Sequence, residues 1–269
     1  MGIKKLFIVG VGRSGTTLLQ SMLNAHPKIC FTPETHFIKR YIVPHLSGNK
    51  CFSKANLIKS LAEDKYFSRL DVTLNDVIEK LDTELTNKDL IGVFDTMLSR
   101  YAQSNNKLFV GDKDPMNSSY IEQIKYAFPD SFLLHIIRDP RDVILSRMKS
   151  DWGKNTSFAV HLAEHKVQLE SMLKNSSKLF KEKYIEVFYE TLLENPEKEL
   201  QNICDKIGLQ YSIEMLDFQK KAGEIVFSDE RTWKDNVFKP LIKDNKNKWK
   251  EGLTQFQAGL VELVLKNNF

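Results

Sequence analysis

Gly10, Gly12 and Gly15 bracket Arg13 and Ser14, and Thr16 and Thr17 follow at once. Glycines let a backbone approach a ligand closely. A loop that runs straight into a helix also presents unpaired N–H groups to an anion. The chemistry on offer is capture of a phosphate-like group by the amides of Ser14, Gly15, Thr16 and Thr17, with Arg13 supplying charge. The spacing is nearly G-x-x-x-x-G-K-[ST], with Gly10, Gly15 and Thr17 in place, but Thr16 stands where the lysine belongs. In NTP-hydrolysing loops that lysine sits on the β- and γ-phosphates, so this loop suits an anion other than a triphosphate to be hydrolysed.

A second anion-binding point is Arg138, which closes the apolar run 131–137 and precedes Asp139-Pro140-Arg141-Asp142. Asp139 suits an N-cap and Pro140 the first helical position. An arginine beside a helix N-terminus is well placed for a phosphate, and Ser146 further along adds a hydroxyl. Two such points imply a ligand carrying phosphates at two separated positions. Glu34 follows a short apolar stretch at 29–32, and Lys113 follows another at 107–111, within Asp112-Lys113-Asp114-Pro115.

These residues need a scaffold that delivers them to one place. Residues 6–9 form a short β-branched run, and after Gly15 the apolar spacing changes to Leu18, Leu19, Met22 and Leu23, which is helical. Runs at 29–32, 107–111, 131–137 and 184–188 give further strands. Between about 54 and 103 the pattern is helical throughout, as in Leu90, Val93, Phe94, Met97, Leu98 and Tyr101. Apolar strands separated by helical segments predict a P-loop-type parallel sheet of about five strands, buried on both faces and flanked by helices. Every candidate residue then lies at a C-terminal strand end, where such sheets collect ligands. We expect one domain over 1–269, with a helical cover at roughly 46–104.

The chain has 269 residues, a hydrophobic content of 42% and a net charge of +4. It holds no apolar stretch of the ~18 residues a membrane span needs and no long Lys/Arg stripe, which argues against membrane and nucleic-acid partners. Cys30, Cys51 and Cys204 are odd in number and lack C-x-x-C spacing; they read as reduced thiols of a cytoplasmic protein. No His/Cys/Asp cluster at metal-ligand spacing appears.

Taken together, these motifs resemble the sulfotransferases that use 3′-phosphoadenosine 5′-phosphosulfate (PAPS). Arg13-Ser-Gly-Thr-Thr17 is similar to that family's 5′-phosphosulfate loop, and Arg138 with Ser146 to its 3′-phosphate motif. The run from Arg13 through Met22-Leu-Asn-Ala-His-Pro27 to Glu34-Thr35 is most similar to the protein-tyrosine sulfotransferases, as are Asp112-Lys-Asp-Pro115, Lys239-Pro240 and Lys248-Trp249. The resemblance implies Glu34 as catalytic base, Arg13 and Lys113 as groups that stabilise the transferring unit, and Thr232, Lys248 and Tyr189 as cofactor contacts. His36 departs from it, standing where the eukaryotic tyrosine-sulfating branch has arginine.

The expected reaction is in-line sulfuryl transfer from PAPS to the hydroxyl of a small molecule or glycan, or of a peptide tyrosine, leaving adenosine 3′,5′-bisphosphate. Such a transfer needs no divalent metal. His36 and His26 are rivals to Glu34 as the base, and His26 also suits a plain turn residue before Pro27. The alternative function is a P-loop nucleotide-binding or kinase-like protein.

Overall fold

The computed structural model describes residues 2–79 and 81–265, without the side chains of Asn175, Thr232 and Trp233. Five strands, β1 (Lys4–Val9), β2 (Ile29–Phe31), β3 (Phe109–Asp112), β4 (Phe132–Ile137) and β5 (Tyr184–Phe188), form one sheet in the order β2-β3-β1-β4-β5. All four pairings are parallel. The strands fall on the five predicted runs.

Side chains alternate across a strand, and β1 shows what that does here. Phe7 and Val9 join one core with Val110, Leu133, Phe94 and Phe128. Leu6 and Ile8 join another with Leu134, Ile136, Val187, Leu19, Met22 and Phe218. Both faces are covered, which is why β1 and β4 read as continuous apolar runs rather than alternating ones.

The first cover is the helical region that begins at the π-turn Ile38–Ile42 and ends with the helix Asn87–Ser104. That helix starts with a capping box, Thr86 with Asp89, so its N-terminal amides have partners. The second cover consists of the helix Thr16–Asn24, the helix Pro196–Ile207 and the kinked 3-10 segment Ile213–Glu224. Order 2-3-1-4-5 puts the chain reversal on either side of β1. The crevice at its C-terminal end is therefore where a ligand belongs.

Candidate functional site

At the end of β1 the chain enters the glycine loop. Gly15 has φ of 97°, and a Cβ there would lie 2.4 Å from Cδ2 of Tyr189. Glycine is required both by the backbone and by the ring packed on it. Arg13 also sits at positive φ, 80°, a conformation costly for a non-glycine residue. That conformation aims its side chain across the loop, where Nε donates to Ser146 Oγ at 3.1 Å. Burial and the nearby Arg138 charge lower the Arg13 pKa.

The loop amides are not all available. Ser14 N donates to Val11 O at 2.9 Å and its side chain is buried. Ser14 therefore closes the turn, leaving Gly15, Thr16 and Thr17 to face a ligand.

Arg138 emerges from β4 as the sequence predicts, and Asp139 caps the helix Pro140–Met148 by accepting from Arg141 N. Arg138 Nη1 donates to Arg13 O at 3.1 Å and Nη2 to Asn245 O at 3.0 Å, and its guanidinium lies 4.4 Å from the Tyr189 ring centre. Its Nε is buried without a hydrogen-bond partner, a donor left for an incoming acceptor. Tyr189 is held in turn by Asn245, which donates to its hydroxyl at 2.7 Å. One ring thus packs on both the glycine loop and Arg138.

A cavity of about 440 Å³ opens here, lined among others by Arg13, Gly15, Thr16, Thr17, Arg138, Ser146, Tyr189 and Lys248. Eight residues chosen from the sequence as cofactor contacts are thereby brought together. Of the remaining two, Ser14 lies behind the loop, and the Thr232 side chain is outside the described residues. The donor set, cationic and rich in hydroxyls, fits a polyanionic nucleotide. Among the described residues no cluster of three or more His, Cys, Asp or Glu side chains could hold a metal ion.

Glu34 and Lys113 come from adjacent strand ends and meet. The loop after β2 is fastened to β3 because Thr35 Oγ1 donates to Asp112 Oδ1 at 3.0 Å, and Phe37 stacks on Phe94 with ring centres 4.9 Å apart. Lys113, 1% exposed, donates to Glu34 Oε1. Lys234 donates to the same oxygen at 2.8 Å. Burial alone would raise the Glu34 carboxyl, but the charges and hydrogen bonds of Lys113 and Lys234 outweigh it and hold it at about 2. Burial lowers the Lys113 pKa, only partly opposed by Glu34. Asp112 is pushed up to about 6 by burial and by the Asp114 charge.

The two histidines separate cleanly. His26 is buried away from this pocket: Nδ1 accepts from Lys28 N at 3.0 Å, so Nε2 donates to Gln210 O at 2.9 Å. His36, at φ of 51°, pairs through Nδ1 with Asp114 and has Nε2 3.9 Å from Glu34 Oε2. Burial lowers its pKa, but the Asp114 hydrogen bond and charge outweigh that and leave it raised. Sequence reasoning missed Lys234 altogether. It sits in a charged stretch, Asp229-Glu-Arg-Thr-Trp-Lys-Asp235, that carries no periodicity to mark one lysine as buried.

Comparisons with known proteins agree with this geometry. A model of the sulfotransferase family matches residues 5–212. The putative protein-tyrosine sulfotransferase of Caenorhabditis briggsae is 27% identical over 84% of this chain and 73% of its own length. Protein-tyrosine sulfotransferase A of Caenorhabditis elegans is 26% identical over 91% of this chain, which spans 60% of that relative. Among solved structures, the sulfotransferase domain of the Synechococcus PCC 7002 olefin synthase aligns with a TM-score of 0.65 at 20% identity, covering 98% of this chain and 95% of that one. Mouse sulfotransferase SULT7A1, solved with PAP, aligns at 0.55 and 13% identity over 98% of this chain and 84% of its own.

These matches correct two expectations. The kinase-like alternative falls, since the family that matches is a sulfuryl-transferring one and Thr16 replaces the phosphoryl-transfer lysine. The cytoplasmic assignment also falls, because the relatives are protein-tyrosine sulfotransferases of worm, chicken and fly. It rested on three unpaired cysteines. Cys30 and Cys204 are buried in different cores and Cys51 is at the surface, so geometry keeps them apart whatever the compartment. Among the described residues no helix is long and apolar enough to cross a membrane.

Proposed function

This chain belongs to the sulfotransferase family, and from that premise we propose that it transfers a sulfuryl group from PAPS to an acceptor hydroxyl, with Glu34 as general base. The donor, when bound, supplies an activated sulfuryl group on a phosphate leaving group. In this reading the amides of Gly15, Thr16 and Thr17 and the Arg13 guanidinium hold its 5′ end, and Arg138 and Ser146 hold its 3′ phosphate. Tyr189, Lys248 and Thr232 complete the contacts. Lys113 stabilises charge on the oxygen that leaves, and Glu34 accepts the acceptor's proton. We take 1–269 as one such unit, its cover at roughly 46–104 standing over the acceptor side.

One observation carries the proposal: a cavity lined by Arg13 and Arg138 connects, through Lys234, to a buried lysine–carboxylate pair. That is a site for a polyanion beside a site for proton removal. Thermal melts test it. Adenosine 3′,5′-bisphosphate at 100 times its Kd stabilises the fold by ~2.7 kcal/mol, and ATP with magnesium does not. Equal or better stabilisation by ATP overturns the assignment.

For the acceptor we favour a small-molecule or glycan hydroxyl. Arg40, which follows the base loop, is paired with Asp64 at 2.5 Å, and Arg69 with Asp229 at 2.8 Å and Glu230 at 3.3 Å. An acidic peptide would have to displace carboxylates already in place. Peptide tyrosine is the second reading, supported by the activity named for the relatives. A transfer assay with labelled PAPS against metabolites, glycans and tyrosine peptides decides between them.

A further inference from the structure

Lys234 ends the short helix Arg231–Lys234 and belongs to two sites at once. Its ammonium donates to Glu34 Oε1 at 2.8 Å and to Glu230 Oε2 at 2.9 Å. The same side chain is 6% exposed and lines the cation-rich cavity with Arg13 and Thr17. Glu34 Oε1 is thus shared by two ammonium groups, from Lys113 and Lys234, while Oε2 has His36 at 3.9 Å. Glu230 pairs onward with Arg69 at 3.3 Å. Charges therefore alternate from the helical cover to the end of β3, touching the cavity at Lys234: Arg69, Glu230, Lys234, Glu34, Lys113. The other acids at this strand end are matched separately, Asp114 by His36 and Asp112 by Thr35 and Asn117.

A carboxylate with two cations on one oxygen is a weak proton acceptor, because protonating it would take the counterion from buried Lys113 and leave Lys234 with Glu230 alone. Yet a base has to strengthen when the acceptor arrives. Resting on the PAPS reading above, we propose that Lys234 is a positioning residue that couples donor occupancy to base strength. It holds Glu34 while no anion occupies the cavity, and exchanges Glu34 for the 5′ phosphosulfate when the donor binds. Glu230 remains within reach of Lys234 throughout, so the ammonium keeps a counterion at each stage. Glu34, relieved of one of its two cations, becomes the stronger base only in the donor complex. A purely structural Lys234 would bind both carboxylates equally well, but Glu34 and the donor would not compete for it.

Competition is measurable without turnover. The experiment is calorimetric binding of adenosine 3′,5′-bisphosphate to the full chain, to Glu34→Gln, to Lys234→Met and to the double variant. Glu34→Gln removes a competitor for the ammonium and tightens binding about tenfold; in the Lys234→Met background the same change moves affinity less than twofold. Adenosine 3′-monophosphate, lacking the 5′ group, binds all four alike. Unchanged affinity in Glu34→Gln overturns the proposal, and so does tightening that persists without Lys234, which would assign the competition to Lys113. A second variant covers a Lys234→Met chain that does not fold: Lys234→Gln keeps a hydrogen-bond donor for both carboxylates without the charge, so in that background too Glu34→Gln moves affinity less than twofold, and tightening that persists there overturns the idea. Failure of the unmodified chain to bind adenosine 3′,5′-bisphosphate is a different result, since it removes the donor assignment itself.

Discussion

The cavity around Arg13 and Arg138 and the pocket around Glu34 use charge in opposite ways. The cavity is lined by Arg13, Arg138, Lys149, Lys234 and Lys248, with Asp142 the one acid among its described lining residues. It keeps a buried guanidinium N–H without a partner. The pocket matches every cation with a carboxylate: Lys113 and Lys234 with Glu34, Lys234 again with Glu230, His36 with Asp114. An excess of one sign draws a multiply charged ligand in from solvent. A balanced cluster attracts nothing, but it can redistribute protons and contacts once a new charge arrives nearby. In the proposed reading, binding and chemistry thus fall to neighbouring volumes with different electrostatic rules.

The largest expected effect breaks the pocket. Glu34→Gln keeps shape and removes the base, so turnover in the transfer assay falls by ~10²- to 10⁴-fold. A near-normal rate would move the role to His36, with His36→Ala as the next variant.

Next comes pH. The Glu34 carboxyl is held at about 2 against an ordinary 4.5. A depressed carboxyl contributes stability that is fully present above the unfolded value and lost as pH falls towards the folded one. The amount here is on the order of 3 kcal/mol. The difference in unfolding free energy between the unmodified chain and Glu34→Gln should therefore shrink between pH 5 and pH 2.5. A difference that stays constant in urea titrations across that window would show that the ion pairs do not stabilise the fold.

Arg138→Ala tests the cavity. Loss of a charge-assisted contact costs ~1.5–3 kcal/mol, a roughly 10- to 100-fold weaker affinity for adenosine 3′,5′-bisphosphate and a much smaller loss for AMP. Equal losses for both nucleotides would make the residue structural, through its bonds to Arg13 and Asn245.

The smallest effect sharpens the contrast. With Arg40 already bound to the buried Asp64, Arg40→Ala should change the rate on an acidic tyrosine peptide by less than about threefold, because a guanidinium already neutralised adds little attraction for a further carboxylate. A strong dependence on Lys39 and Arg40 together would turn the pocket's outer wall into a peptide-recognition surface.

Much of the donor side was legible because local sequence specifies it. An apolar run, glycines at fixed offsets and an N-cap before proline each act within a few residues, and they place the Gly15 loop and Arg138 correctly. The inner strands followed for the same reason, since both covers force continuous apolar runs, while edge strand β5 shows as an alternation with Ile185 and Val187 inward. The pocket was only half legible. Glu34 and Lys113 announce themselves by following strands, but that they share an oxygen is a tertiary fact. Lys234 is 200 positions from Glu34, on a helix too short to show a periodicity, among acids and bases that look like a solvated turn. The engagement of the Ser14 amide with Val11 was equally invisible, because the motif says where glycines fall and not which amide closes the turn.

The position of β1 has a consequence for how the molecule is made. Lys4 pairs with Phe109 on one side and Leu6 with Phe132 on the other, so the central strand precedes both neighbours by more than a hundred residues. Its partners do not yet exist while it leaves the ribosome, and closing such long loops makes sheet formation slow. Until then a bare apolar strand must be shielded, by the helix Thr16–Asn24 or by a chaperone. The anion loop that follows β1 can take its final shape only after β4 has docked and brought Ile136 against Gly10. In the proposed reading, donor capture therefore waits for segments translated more than a hundred residues after the loop itself.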